Sequence, residues 1–147
     1  MKIQTIFYRV GSYVWHRVSA WNTAGEGIHS PYLFYLVRML MYDDNTYYCF
    51  KEIEKCRARM LMSCESVSVT DYGTGCSGVK KVSDIARHEV ERAAIGQLLF
   101  RLVWYLGHEQ GHPLRIWELG TSLGITTAYL AMADTRNAVL TIDGAGA

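Results

Sequence analysis

The chain has 147 residues, of which 50% are apolar, 12% aromatic and 20% charged, with a formal net charge of +1. Such a composition can bury a core and excludes general disorder. The near-neutral charge balance removes the electrostatic case for nucleic acid or an anionic membrane as partner. No apolar run reaches membrane-spanning length, because the greasiest stretch, residues 93–107, is interrupted by Gln97 and Arg101. The N-terminus shows no signal-peptide core. The expectation is a soluble, cytoplasmic protein. Cys49, Cys56, Cys64 and Cys76 form no C-x-x-C pair, so they read as reduced thiols rather than as a metal site or disulfide framework.

Ile3, Ile6, Phe7, Val10, Val14 and Val18 recur at helical spacing, which predicts an amphipathic helix over residues 2–20. Residues 22–27 read as a loop. Ser30 and Pro31 then suit the N-cap and first position of a second helix, with Leu33, Leu36, Val37, Leu40 and Met41 on its apolar face. A third helix, rich in Lys, Glu and Arg, is expected over residues 47–62. Residues 67–71 alternate like a short strand or extended arm, and Gly73, Gly75 and Gly78 follow. Helical pattern returns over residues 82–106, with a break near Glu89, and residues 107–113 read as a connecting loop. Leu114–Leu119 then reads as a buried strand, residues 124–133 as a helix and Ala138–Ile142 as a second strand. The fold class expected is α/β: a mainly helical region, 1–106, a connecting loop, 107–113, and a β-α-β unit opening at residue 114.

Three motifs compete for the chemistry. His108-Glu109-Gln110-Gly111-His112 matches the H-E-x-x-H of zinc proteases. Gly107, Gly111 and Pro113 weaken the helix that must bring its histidines together, so a polar loop is the better reading. Gly73-Thr74-Gly75-Cys76-Ser77-Gly78 spells G-x-G-x-x-G, yet no acidic strand end follows at the distance a dinucleotide site needs. The third is Glu118-Leu119-Gly120-Thr121-Ser122-Leu123-Gly124, followed by Thr141-Ile142-Asp143-Gly144. Here a buried strand ends in a carboxylate, turns on glycines into a helix, and returns as a strand ending in a second carboxylate. Ligands of open α/β sheets bind outside such carboxyl ends.

The run E-L-G-T-S-L-G-I-T-T resembles motif I of class I S-adenosylmethionine-dependent methyltransferases, in the form found in the catechol O-methyltransferase group. The segments Gly27–Phe34, Val69–Gly73, Val82–Ala86 and Gln97–Val103 are similar to the front end of a group of uncharacterised bacterial members of that class. The resemblance implies a Rossmann-like methyltransferase fold, S-adenosylmethionine as cofactor and a small-molecule acceptor. It implies that Gly120, Thr121, Ser122 and Gly124 line the cofactor, that Glu118 lies near its methionine amino group, and that Asp143 accepts from the ribose hydroxyls. No catalytic residue is named by it. His29 reads as a cap-adjacent histidine and Asp71 as a loop aspartate.

That family's sheet has more strands than the two core strands legible here, and the loops carrying its catalytic groups follow later strands. The chain therefore reads as the cofactor-binding first half of a methyltransferase, truncated after its second carboxylate and expected to transfer no methyl group alone. A two-stranded parallel sheet leaves an apolar face and edges to cover, by the preceding helices or by self-association as a homo-oligomer. The competing reading is non-enzymatic: a helical interaction or dimerisation domain with a structural β-α-β tail, in which Tyr8, Tyr13 and Trp15 serve a partner surface.

Overall fold

The computed structural model describes residues 3–20, 27–72 and 77–146. It contains helices and a few short strands, and divides into two units, residues 1–43 and 44–147. The glycines at 73 and 75 lie outside the described residues. No helix among the described residues is long and apolar enough to cross a membrane.

The first unit holds α1 (Ile3–Ser19) and α2 (Pro31–Met41). The Ser30 hydroxyl accepts the Leu33 N–H at 3.4 Å, and Pro31 occupies the first turn, where its missing N–H costs nothing. Of the apolar face expected on α2, Leu40 is buried and Leu36 and Val37 half-buried, whereas Leu33 and Met41 are exposed. His29 is exposed beside the cap.

The second unit runs α3 (Phe50–Leu61), β1 (Ser66–Asp71), β2 (Gly78–Lys81), α4 (Val82–His88), α5 (Ala93–Gln110), β3 (Arg115–Leu119), α6 (Ile125–Met132), β4 (Ala138–Ile142) and β5 (Ala145–Gly146). Three differences from the sequence expectation stand out. Strand β2 falls where no strand was expected, and pairs antiparallel with β1 in the register Val69↔Gly78. Strand β5 completes a three-stranded sheet, β2-β1-β5. Helix α5 continues through Gln110, across the first half of the expected 107–113 loop, until Gly111 takes a left-handed φ of 67° and ends it.

Strands β3 and β4 form the expected β-α-β unit around α6, parallel and paired from Arg115↔Ala138 to Leu119↔Ile142. Asn137 sets that register, its side chain accepting the Leu114 N–H at 2.8 Å while Ala138 N–H donates to Leu114 O at 2.9 Å. Cys49, Phe50 and Ile53 at the start of α3, Phe100 and Val103 on α5, and Ile125, Tyr129, Leu130 and Ala133 on or beside α6 make the core. Ile116 and Val139 join it from one face of the two-stranded sheet. The other face is bare, with Trp117 71% and Leu119 81% exposed. Cys49 is a core thiol whose pKa burial raises, while Cys56 and Cys64 are exposed and form no disulfide among the described residues.

Rings fill the centre: Phe50 meets Phe100 edge-on at 5.0 Å and Tyr129 at 5.5 Å. Tyr129 is fully buried, and its hydroxyl donates to Glu54 Oε1 at 2.8 Å. Burial first, and the Glu54 carboxylate second, push this hydroxyl from 10.0 up to about 12. The folded chain thus holds the proton more tightly than the unfolded chain. Its contribution to stability is intact below pH 10 and vanishes as pH rises towards 12, a loss of about 2–3 kcal/mol. Urea unfolding across that interval should show the loss in the wild type and not in Tyr129→Phe. Identical pH slopes would contradict it.

Candidate functional site

The carboxyl end of β3 runs straight into the glycine turn. Gly120 N–H donates to Ile142 O at 2.8 Å, which extends the β3–β4 ladder one residue past β3. Gly120 then adopts φ 94° and Gly124 φ 74°. A Cβ at either position would meet open space, so glycine is required here by backbone conformation, which L side chains disfavour by about 1–2 kcal/mol. Between them Gly124 N–H closes the turn on Thr121 O at 2.9 Å, and Gly124 caps α6. Ser122 sits at φ 47° without being glycine. What compensates that strain is a charge-assisted bond: the Ser122 N–H donates to Asp143 Oδ2 at 2.5 Å. The hydroxyls of Thr121 and Thr141 also meet across the two strands.

Glu118, the last inward-facing residue of β3, is 8% exposed. Its Oε2 accepts the Thr127 hydroxyl from α6 at 2.5 Å, whereas its Oε1 is buried with no hydrogen-bond partner among the described residues. An unpaired polar atom out of water is costly, and more so on a carboxylate. Glu118, Leu119, Gly120, Thr121 and Ser122 line a cavity of about 250 Å³, closed on its other side by Ile125 and Thr126 of α6 and by Glu89, Val90 and Glu91 from the α4–α5 linker. None of those lining residues is basic. Lys80 reaches the rim, where its Nζ pairs with Glu89 Oε1 at 2.8 Å. With Glu89 offset by Lys80, the carboxylates of Glu118 and Glu91 and the lack of a basic lining residue favour a ligand with positive charge over one carrying phosphates.

Of the six residues expected to bind a cofactor, Glu118, Gly120, Thr121 and Ser122 share this cavity. Gly124 shapes it from the helix cap, and Asp143 adjoins it through Ser122, exposed to solvent. Sequence reasoning missed Thr127 and the 89–91 wall. The second threonine of the I-T-T run, one helical turn beyond Gly124, was the available signal for Thr127. Nothing local marks Glu89 or Glu91.

The other glycine motif sits in a different context. Its flanks are the antiparallel strands β1 and β2 rather than a strand and a helix, and a helix N-terminus is what cradles a pyrophosphate. In the H-E-x-x-H match, His108 lies on the last turn of α5, stacked on Trp104 at 5.3 Å. His112 lies beyond the Gly111 cap, with Nδ1 3.1 Å from Pro113 O. Two histidines on one helical face are not formed. A larger cavity of about 470 Å³ surrounds Tyr48, Trp104, His108, Asp134 and Arg136. Three of its polar side chains are already engaged: Asp134 grips Arg136 at 2.7 Å, and Tyr48 donates to Met132 O at 2.8 Å.

Compared with the models of known protein families, with curated proteins and with solved structures, the chain matches none.

Proposed function

We propose that the glycine turn between β3 and α6 binds S-adenosylmethionine, and that the chain is the cofactor-binding part of a methyltransferase with a Rossmann-like fold acting on a small-molecule acceptor. The observation that carries this reading is Glu118, a buried carboxylate that lines the cavity and whose Oε1 has no hydrogen-bond partner among the described residues. A ligand ammonium group is the chemistry that satisfies such an oxygen. Asp143, at the end of the adjacent strand, carries the carboxylate type that accepts from ribose hydroxyls, and it adjoins the cavity through its bond from the Ser122 N–H.

The bound cofactor supplies an activated methyl group. The residues of this chain hold and orient it, and orientation is the larger part of catalysis in such a transfer. Ligand pockets generally run from about 300 to 1,000 Å³. A cavity of about 250 Å³ encloses only part of a cofactor of this size, so binding is expected to be weak.

Isothermal titration with S-adenosylhomocysteine tests the reading. Saturable binding is expected, weakened about tenfold or more by Asp143→Ala through loss of a charge-assisted hydrogen bond. Asp143→Asn, which keeps an oxygen for the Ser122 N–H, should weaken it too if the carboxylate meets the ribose. Absence of binding to folded protein, or indifference to both substitutions, would overturn the proposal. An interaction module is the competing reading, favoured by the exposed Tyr8, Tyr13 and Trp15 of α1. Such a module would ignore the ligand.

A further inference from the structure

One wall of the cavity, residues 89–91, belongs to the four-residue linker between α4 and α5, which has no regular structure to hold it. Two basic side chains reach it from outside the cavity. Lys80 pairs with the Glu89 carboxylate at 2.8 Å, and Arg57 Nη1 donates to the backbone carbonyl of Glu91 at 2.5 Å. Arg57 is the better anchored, its side chain only 12% exposed. Its Nε meets Glu54 Oε1 at 3.1 Å and Oε2 at 3.0 Å. Glu54 Oε1 in turn accepts the hydroxyl of the fully buried Tyr129. A continuous line of hydrogen bonds thus runs from the core, Tyr129–Glu54–Arg57, to the main chain of the cavity wall.

We infer that Arg57 is a positioning residue of this site: its guanidinium spans the Glu54 carboxylate and the Glu91 carbonyl and fixes the wall that Glu89, Val90 and Glu91 present to the ligand. The planar fork is what the job requires. Nε serves the carboxylate while Nη1 serves the carbonyl, and a lysine ammonium at the end of a flexible stem does not span both. Pinning the wall at the Glu91 carbonyl, in the main chain, holds the three side chains in register whatever ligand they meet. That the ligand is S-adenosylmethionine rests on the proposed function; the strut itself does not.

The test uses the 147-residue chain with Arg57→Lys and Arg57→Ala, read by amide hydrogen exchange and by titration with S-adenosylhomocysteine. The reporting amides are Glu89, bonded to Ile85 O at 2.8 Å, and Ile95 and Gly96, both bonded to Arg92 O. Ala128, bonded to Gly124 O in α6, is the reference. Arg57→Lys keeps a cation beside Glu54 and should leave Ala128 protection unchanged, while the three reporting amides, in the wall and the α5 turn it leads into, exchange on the order of tenfold faster. Affinity for S-adenosylhomocysteine should fall severalfold in the same variant. A residue that merely supports the core would change wall and reference amides together in both variants, and that result would overturn the inference. If wall exchange accelerates but the wild type takes up no S-adenosylhomocysteine, the strut stands and the cofactor reading falls.

Discussion

Gly96→Ala is expected to destabilise the folded chain by about 1–3 kcal/mol, although alanine is the better helix former. A Cβ at residue 96 would stand 2.5 Å from Cδ2 and 2.6 Å from Cε2 of Tyr129, well inside contact distance. The ring has nowhere to go. It is fully buried against Phe50, and its hydroxyl is tethered to Glu54. Either α5 lifts away from α6, opening the core, or the ring moves and abandons its hydrogen bond. Gly107, in the same helix, is the internal control: a Cβ there would meet only Leu114, at 3.8 Å, an ordinary contact. Gly107→Ala should therefore stabilise the chain by about 0.5–1 kcal/mol through helix propensity alone. Urea unfolding of the two variants should give opposite signs, and a stabilised Gly96→Ala would contradict this account of the α5–α6 crossing.

Glu118→Gln should separate stability from binding. In the folded chain the Glu118 carboxylate holds one oxygen on Thr127 and leaves the other buried and unmatched. The amide removes the charge, keeps an oxygen for Thr127 and lowers the cost of burial, so the unliganded protein should become more stable by about 1 kcal/mol. A ligand ammonium group loses its charged acceptor, and hydrogen bonds to charged groups contribute about 1.5–3 kcal/mol, so affinity should fall by one to two orders of magnitude. Residues kept for a ligand at a cost to the empty fold behave in this way.

How much of this was legible in the sequence depends on where the determining contacts lie. The β-α-β unit was, because short apolar runs announce strands, and the observed β4 has the expected limits at Ala138 and Ile142; the burial expected of Leu114–Leu119 did not hold, since Trp117 and Leu119 lie on an exposed face. Helix α2 was legible from Ser30 and Pro31, whose roles are local. Strands β2 and β5, of four and two residues, carry no alternation of their own and exist through pairing with β1. The continuation of α5 to Gln110 was hidden by Gly107 and the polar residues after it; only Gly111, at positive φ, ends the helix. At the site, Glu118, the glycines and Asp143 were readable because one motif contains them. The 89–91 wall was not, since Arg57, on α3, fixes it from 34 positions away. Gly96 looked like any glycine in an apolar helix until Tyr129 was placed against it.

Ligand binding through Glu118 is tested by titration of the wild type and Glu118→Gln with S-adenosylhomocysteine, alongside urea unfolding of both without ligand. Saturable binding to the wild type is expected, with binding at least tenfold weaker in the variant and the variant the more stable of the two when empty. A folded wild type that takes up no ligand, or a variant that binds as tightly as the wild type, would contradict it.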